Sequence, residues 1–371
     1  MGVKLFFAGD FCSKPSASVI KVSEELKALI RSCEIRVVNF EVPLKPEGIE
    51  TPKGRERFFQ NEDAPAFLQG LGFNVFSLAN NHAFDWGEAG FLKVKAALGN
   101  GAFGAGTYEE AYRPKIVETG GLKFGFLAAS FAAYTGVFDD VTRRDGLGCA
   151  YVYDYQFSHA IADTRKQVDY LFVLPHDGIE YIDIPMPEVR ARYRDFIDWG
   201  ADAVVASHPH CPQGCEMYKG KPIFYSLGNF LFNSKEGYDY RATNRPHWYE
   251  GLCVVVTIED GAASYEVVNT RNTDNLALSV DHDPSREEHN ARLNALLADR
   301  DLYTNRLKDV CNKLGTKELA IVDQTDFPVL KRLWFLLRGK AMRNNYRLQR
   351  LMVHDARRAL LLWTIKLKKI D

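Results

Sequence analysis

Five short apolar segments of the sequence each end in side chains that can bind a metal ion or transfer a proton. These side chains are carboxylates, amides and imidazoles, and they belong to Asp10, Glu41, Asn81, His82, His176, His208 and His210. In layered α/β folds, the ends of the strands and the loops that follow them direct side chains toward a common site. We therefore expect these residues to converge.

Each of these residues alone has an ordinary structural explanation. An aspartate after a glycine is usually a turn or cap residue, and a glutamate after a strand is usually solvated. Asn81 could serve a turn, and His82 could be a hydrogen-bonded core histidine. His208 and His210 are more informative, because Pro209 stiffens the backbone between them. Four of the nine histidines fall in these strand-end positions, so the set as a whole favours a site.

The mixture of side chains predicts which metals would bind. Carboxylate, amide and imidazole ligands together suit Mn, Fe or Zn, whereas calcium prefers a cage of oxygen ligands. Two such ions about 3.5–4 Å apart can share a bridging carboxylate and lower the pKa of a bound water. We expect a dinuclear centre with two divalent metal ions.

The elements that position these side chains alternate between strand and helix patterns, which is typical of an α/β layered fold. The predicted strands are 4–8, 35–39, 74–78, 123–128, 170–174, 203–206, 223–226, 252–258 and 263–268. The predicted helices are 19–32, 87–98, 158–168 and 188–199.

The composition excludes several classes of protein. With 46% hydrophobic and 26% charged residues and a net charge of -1, the chain is typical of a globular protein and not of a disordered or collagen-like one. The seven cysteines never occur as CxxC, so we expect reduced thiols. The first apolar run meets Asp10 too early for a signal peptide, and no run is long enough to span a membrane. We expect a cytoplasmic protein with no nucleic-acid partner, and its oligomeric state stays open.

The character of the sequence changes at Pro284, so we predict a catalytic domain over 1–283 and a helical, basic region over 284–371. The segment 287–313 is charged and helical in period. The segment 328–371 has twelve Lys or Arg against two Asp or Glu, a net charge of +10. Cations at three- or four-residue steps over 343–358, with Trp334 and Trp363, predict peripheral contact of 328–369 with an anionic membrane surface. Packing of the same helix on the catalytic domain or a second subunit is the alternative.

Three motifs give the chain a resemblance to a known family. They are LANNHAFD at 78–85, SHPH at 207–210 and KPIFYSLGNF at 221–230. In this order they resemble the capsule synthesis protein CapA family, also described as poly-γ-glutamate biosynthesis proteins, which is similar to the calcineurin-like metallophosphoesterases. The resemblance runs from about Lys4 to Phe232. It implies a four-layer αββα sandwich of the metallophosphoesterase type, to which the C-terminal helical extension is added.

The resemblance also implies a role for each matching residue. The metal ligands that it implies are Asp10, Glu41 as the bridging carboxylate, Asn81, His176, His208 and His210. It places His82 next to the substrate as a catalytic acid. Cys12 stands where the wider phosphoesterase pattern has a histidine, which leaves one metal with fewer ligands. This cysteine is either a soft ligand or, as its residue type favours, a small buried hydrophobe.

Three more residues have two explanations each. Asp85 either orients His82 or caps the following helix. Glu180 either reaches the cavity or supports a ligand by a hydrogen bond, or else it is a solvated loop residue. Asn229 either bonds a ligand or caps a turn.

These roles imply a metal-dependent hydrolase. Metal-bound hydroxide would attack a phosphoester while His82 protonates the leaving oxygen. The resemblance points to an anionic small molecule or to capsule or poly-γ-glutamate polymer as the substrate. Two alternatives stay open: hydrolysis or transfer at a γ-glutamyl amide, and a non-catalytic scaffold in a polymer-synthesis complex. An acid beside a full ligand set argues against the scaffold, because a structural metal site needs neither an acid nor an open position.

Overall fold

The structure is a computed structural model that describes residues 2–48, 58–132, 136–138, 144–234, 245, 247–274, 276–315, 360 and 362–364. Two large β-sheets and one small one contain all the strands of this described part of the chain.

The first sheet has nine strands in the order β2-β17-β16-β15-β1-β3-β4-β5, and β14 also pairs with β1. Their bounds are β1 Val3–Ser13, β2 Lys21–Val22, β3 Ile35–Phe40, β4 Val75–Ser77, β5 Ala102–Phe103, β14 Asn229–Asn233, β15 Glu250–Glu259, β16 Ala262–Thr273 and β17 Ala277–Val280.

The second sheet has six strands in the order β12-β13-β11-β10-β8-β7. Their bounds are β7 Lys115–Thr119, β8 Leu122–Ser130, β10 Tyr170–His176, β11 Ala203–Val205, β12 Cys215–Tyr218 and β13 Lys221–Phe224. The small sheet pairs β6 Ala105–Gly106 with β9 Gly148–Cys149.

Eight α-helices lie in the described part of the chain, and five of them begin at a side-chain cap. Their bounds are α1 Glu24–Arg31, α2 Ala64–Leu71, α3 Gly87–Leu98, α4 Tyr108–Tyr112, α5 Tyr155–Arg165, α6 Pro187–Asp198, α7 Pro284–Ala298 and α8 Arg300–Val310. In α1 the Ser23 hydroxyl accepts from the Leu26 N–H, and Glu24 and Arg31 complement the helix dipole. Short 3-10 turns lie at Ala17–Val19 and Gly99–Gly101, and a π-turn lies at Cys311–Gly315.

Alternating side chains of β1 show how the layers stack. The ring of Phe7 faces the second sheet, with its centroid 5.0 Å from that of Phe172 and 6.3 Å from that of Phe126. Its neighbour Phe6 points to the opposite face and packs on Phe73, which follows α2. Helices α5 and α6 cover the outer face of the second sheet and bury residues such as Phe157 there. The predicted four-layer αββα sandwich is therefore confirmed.

Strand β1 changes its partner at Gly9, and this change positions the first carboxylate. Up to Ala8 the strand pairs antiparallel with β15, and from Asp10 onward it pairs parallel with β14. A Cβ atom at Gly9 would lie 2.0 Å from the carbonyl oxygen of Gly228, so the backbone crossing requires glycine. The register then sets Asp10 opposite Asn229.

All nine predicted strands are confirmed, most with longer bounds. The helix predicted over 19–32 is wrong in its first half, because Lys21–Val22 pairs with β17 and the helix starts only after Ser23. The helical segment 287–313 is broken at Asp299, whose side chain caps α8 by accepting from the N–H groups of Asp301 and Leu302.

The C-terminal region begins with α7 and α8, which pack beside the second sheet and bury Leu297 and Leu307 in its outer core. Of the basic segment 328–369, only residue 360 and residues 362–364 are described. Leu360 is buried in the same core, and the Trp363 indole Nε1 donates to Glu188 Oε1 at 2.5 Å. The cationic face over 343–358 and Trp334 lie outside the described residues. The membrane contact and the domain boundary at 283 stay predictions.

No helix within the described ranges is both long enough and apolar enough to cross a membrane.

Candidate metal centre

Two fully buried carboxylates lie at the centre of the site. Asp10 Oδ1 accepts from Asn39 Nδ2 at 2.7 Å, and its Oδ2 accepts from the backbone N–H of His208 at 3.1 Å. Glu41 is 0% exposed, and within the described residues neither of its carboxylate oxygens has a hydrogen-bond partner. The Gln60 amide holds the Glu41 backbone carbonyl at 2.6 Å and so fixes where the side chain starts.

Two buried imidazoles lie between these carboxylates. The Nδ1 of His176 is 3.8 Å from Asp10 Oδ1, and its Nε2 is 3.7 Å from Glu41 Oε1. The Nδ1 of His210 is 3.5 Å from Asp10 Oδ2, and its Nε2 is 3.8 Å from Glu41 Oε1. His208 adjoins them, with its Nδ1 3.2 Å from His176 Nε2. The strand-end residues therefore do converge.

This donor set fits a divalent cation. Ligand atoms bound to one ion at about 2.0–2.2 Å lie roughly 3–3.5 Å from each other, close to the distances between these nitrogens and oxygens. A buried carboxylate without a hydrogen-bond partner is costly, and a bound cation would favour the ionised form of Glu41. Ligand atoms of Asp10, Glu41 and His176 all lie within 4.8 Å of one another.

Burial also sets the protonation of the ligand candidates. It raises the pKa of Glu41 well above the ordinary value, and the neighbouring charges of Asp10 and Glu180 raise it further. Burial raises the pKa of Asp10 as well, while the nearby His210 lowers it. The pKa of His176 falls well below its usual value and that of His210 also falls, in both cases because of burial. The two imidazoles are therefore neutral, as metal ligands must be.

Four residues beside the site have a left-handed backbone that side-chain-bearing residues rarely adopt. The φ angles are 78° at Val42, 65° at Tyr181, 104° at His208 and 55° at His210. Such positions cost about 1–3 kcal/mol each, and they persist only where the surrounding structure imposes them. Val42 is the most unusual, because β-branched residues strongly disfavour positive φ. It directly follows Glu41, so the strain accompanies the placement of that carboxylate.

The loop after β4 carries the predicted acid. The Asn80 amide ties this loop to β3 by donating to the Phe40 carbonyl at 3.1 Å, and its Oδ1 accepts from the His82 N–H at 3.1 Å. The Nδ1 of His82 lies 2.8 Å from Asp85 Oδ2. A carboxylate only accepts, so Nδ1 carries the hydrogen and proton exchange falls to Nε2. Helix α3 is capped at Trp86, so Asp85 orients His82 instead of capping the helix.

The other predicted residues also lie at the site. Asn81 Oδ1 is 2.8 Å from His176 Nε2, and Asn229 Oδ1 is 2.9 Å from His210 Nδ1. Glu180 is half-buried, and its charge offsets part of the lowering that burial causes in the pKa of His210. Metal ligation by the predicted set stays a prediction.

Cys12 packs in a small apolar cluster with Val42, Phe232 and Trp248. Burial and the charge of Glu41 raise the pKa of its thiol well above the usual value. A protonated thiol in an apolar cluster behaves as a small hydrophobe. In the structure, all seven cysteines are free thiols.

Sequence reasoning missed several residues that support the site. Asn39 donates to Asp10, and the Ser207 hydroxyl is 3.0 Å from His176 Nδ1. Both stand next to predicted ligands in the sequence, so their adjacency was a usable signal. Trp248 and Arg245 lie well beyond the last motif, at 221–230, so no neighbouring motif residue marked them.

The profile of the family described as bacterial capsule synthesis protein PGA_cap matches residues 4–234. The chain belongs to this family. The chain is similar to the PGA biosynthesis protein CapA of Bacillus subtilis, at 29% identity over 221 residues, which are 57% of this chain and 57% of that protein. It is also similar to the capsule biosynthesis protein CapA of Bacillus anthracis, at 30% identity over 206 residues, which are 53% of this chain and 49% of that protein.

The chain thus spans about half the length of the curated relatives it matches. Among solved structures, a novel phosphatase from Mycoplasma pneumoniae aligns with a TM-score of 0.45 and 14% identity, covering 72% of this chain and 93% of that one.

Beyond the part matched to the PGA_cap family, α7 holds the segment next to the site. The carboxylate of Glu250 lies 2.7 Å from His247 Nδ1 and accepts from the buried Arg286 of α7. The ring of His289 stacks on that of His247, with centroids 4.5 Å apart and planes at 25°. His247, Glu250 and His289 lie close enough together to bind a metal ion. The Arg286 guanidinium, however, already supplies a positive charge to Glu250, so no metal is needed there.

We predict that protonation of His289 weakens the fold in mild acid. Burial, helped by the nearby His247 and Arg292, lowers the pKa of His289 to about 4. Between pH 4 and 6.5 the unfolded chain therefore binds a proton that the folded chain does not, so the free energy of unfolding falls as the pH falls. We expect a loss of about 1–2 kcal/mol across this range, after discounting for partial exposure.

Urea unfolding at pH 7 and at pH 4.5 measures this loss. His289→Gln should show a smaller difference between the two pH values than the wild type. His282→Gln, which changes an exposed histidine nearby, is the control and should retain the full difference. Equal pH dependence in wild type and His289→Gln would contradict the prediction.

Proposed function

We propose that this PGA_cap family member is a hydrolase that depends on divalent metal ions. The observation that carries the proposal is the fully buried Glu41 carboxylate, which has no hydrogen-bond partner in the described chain and lies between two neutral imidazoles. Asp10 provides the second carboxylate from the opposite side. Burial disfavours the ionised forms of both acids, and a bound cation would stabilise those forms.

The residues that would hold the metals are Asp10, Glu41, Asn81, His176, His208 and His210, with Glu41 as the shared carboxylate. Two ions bound there would polarise a phosphoryl or carbonyl oxygen and generate a nucleophile from water at neutral pH. His82, oriented by Asp85, would give the proton from Nε2 to the leaving group. Asn39 and Ser207 hold the Asp10 carboxylate and the His176 ring in place.

We further propose an anionic substrate. The relatives are named for capsule and PGA biosynthesis, which favours an anionic polymer. The proposed metal centre suits cleavage of a phosphoester. The names of the relatives also favour a second candidate reaction, cleavage or transfer at a γ-glutamyl amide. We also propose a cytoplasmic location.

Metal analysis of the purified protein tests the central claim. We expect about two ions of Mn, Fe or Zn per chain, because the proposed ligands would supply two groups joined by Glu41. His208→Ala should weaken metal affinity by more than about tenfold, since even residues that only support a ligand have effects of that size. His159→Ala, which removes an exposed histidine of α5, should leave the metal content unchanged. Absence of metal, with no activity gained on adding these ions, would exclude the proposal.

The two reaction types are separated by a substrate screen of the metal-loaded protein. 4-Nitrophenyl phosphate and bis(4-nitrophenyl) phosphate report phosphoester cleavage, and γ-glutamyl 4-nitroanilide reports amide cleavage. Turnover of the anilide alone would favour the amide reaction. Turnover of neither type by a fully loaded chain would favour a scaffold that keeps metal for stability.

A further inference from the structure

An aromatic ring from a distant part of the chain packs on the imidazole of the proposed acid. The centroid of the Phe58 ring lies 5.0 Å from that of His82, and the two planes meet at 81°. This edge-to-face arrangement is one that ring pairs prefer. The Phe58 ring is half-buried, so part of its surface stays open to solvent beside the acid.

One carboxylate oxygen holds both the acid and the segment that carries this ring. Asp85 Oδ2 lies 2.8 Å from His82 Nδ1, and it also accepts from the backbone N–H of Phe58 at 3.2 Å. The carbonyl of Phe58 accepts from the indole Nε1 of the buried Trp86 at 2.9 Å. Phe58 stands twenty-seven residues before Asp85, so these bonds bring a separate segment to the acid. The imidazole and the ring are therefore positioned together.

The Phe58 ring also belongs to an apolar wall that runs from the acid to a proposed metal ligand. In that wall, the centroid of the Phe232 ring lies 4.5 Å from that of His210, and the Trp248 ring lies 5.2 Å from the same imidazole. Phe58 packs against the buried cluster of this wall, which consists of Cys12, Val42, Phe232 and Trp248. A group that enters the site beside His82 therefore meets an apolar surface.

The position of Phe58 favours one kind of leaving group. A proton from His82 Nε2 goes to the leaving group, so that group lies beside the imidazole and within reach of the ring that packs on it. An apolar group gains free energy when it leaves water for the Phe58 ring, whereas a charged group loses water without gaining a partner there. The charge of Asp85, which helps to raise the pKa of Glu41, repels a negative group as well.

We propose that Phe58 is a specificity-determining residue that selects an apolar leaving group. This inference rests on the proposed hydrolase function, with His82 as the acid. The anionic part of the substrate then lies at the proposed metal centre, and an apolar part lies on the other side of the bond that is cleaved.

Titration calorimetry of the metal-loaded full chain with phosphonates tests the inference. A phosphonate has carbon in place of the leaving oxygen, so it carries the side group without being cleaved. The probes are methylphosphonate as the reference, benzylphosphonate with an apolar ring, 2-carboxyethylphosphonate with a negative group and 2-aminoethylphosphonate with a positive one. The wild type should bind benzylphosphonate about tenfold more tightly than methylphosphonate, because one face of the ring leaves water. Neither charged probe should bind as tightly as benzylphosphonate.

Variants of Phe58 show whether this ring causes the preference. Phe58→Ala should weaken benzylphosphonate about tenfold and leave methylphosphonate within twofold, because the backbone bonds to Asp85 and Trp86 do not need the side chain. Phe58→Leu keeps an apolar side chain and should retain part of the preference. Tyr155→Ala, which removes a 66% exposed aromatic ring from α5, should bind every probe as the wild type does. Thermal unfolding and metal analysis of each variant check that the fold and the metal content are intact.

Wild-type protein that shows no preference for benzylphosphonate overturns the inference, and so does tighter binding of either charged probe. An undiminished preference in both Phe58→Ala and Phe58→Leu overturns it too, because the ring would then bind elsewhere. Absence of metal from the wild type counts against the proposed hydrolase instead. A preference for benzylphosphonate that is lost in Phe58→Ala supports the role of Phe58 in either case.

Discussion

Replacing His82 with alanine is expected to lower kcat by about 10²–10⁴-fold while the metal content stays at the wild-type level. General acid catalysis typically contributes a factor of this size. Asp85 Oδ2 lies 2.8 Å from His82 Nδ1, and His82 is not one of the proposed ligands, so the substitution removes a proton donor and leaves the ligand set complete. Kinetics on the most active substrate of the screen, with metal analysis of the same preparation, measure both quantities.

The dependence on the leaving group gives an internal control. An activated substrate such as a 4-nitrophenyl ester needs little protonation, so His82→Ala should affect it less than an alkyl ester. Asp85→Asn should have a smaller effect and shift the pH profile, because it keeps the imidazole but removes the carboxylate that fixes its tautomer. Metal loss in His82→Ala would show that His82 is a ligand, and unchanged kcat would exclude it as the acid.

The main residues of the candidate site could be predicted from the sequence, because they stand directly after the buried strands. Buried strands read as apolar runs, and polar residues directly after such runs have little reason to be there except at a strand-end site. Asp10, Glu41 and His176 follow this rule, and the structure brings them together. The bounds of the strands were less predictable, since β1 continues past Asp10 because β3 and β14 both pair with it there.

Features that depend on distant contacts could not be predicted. The positive φ of Val42 has no local signal, because valine disfavours that conformation and only the surrounding packing imposes it. The segment around Trp248 reaches the site through its bond from Asn229, which lies nineteen residues earlier in the chain. The strand Lys21–Val22 was mistaken for helix because its pairing with β17 is a tertiary effect that overrides local propensity.

The start of the C-terminal region bonds to the segment beside the site, and the domain boundary at 283 stays a prediction. The buried Arg286 of α7 donates to Glu250, and Glu250 in turn holds His247 beside Trp248. The start of α7 therefore stabilises the segment that covers His210. A truncation before Pro284 would leave Glu250 without its cation, so removal of the tail should be made after α8.

Replacing Glu41 with glutamine is expected to change metal affinity and stability in opposite directions. The variant loses the carboxylate shared by the two proposed metal groups, so we expect at most one ion per chain and an affinity at least about 100-fold weaker. In the metal-free state it also loses a buried acidic group that has no hydrogen-bond partner among the described residues and lies near Asp10. Removing such a group is neutral or stabilising, here by about 1–2 kcal/mol.

Thermal unfolding with and without added Mn²⁺ separates the two effects. Metal that binds only the folded chain raises the Tm of the wild type, and it should raise that of Glu41→Gln much less. Without metal the order should reverse, with Glu41→Gln melting above the wild type. Glu118→Gln, which breaks only an exposed pair with Lys123, should match the wild type in both conditions. A Glu41→Gln chain that keeps two ions, or that melts below the metal-free wild type, would show that Glu41 is held by something other than the metals.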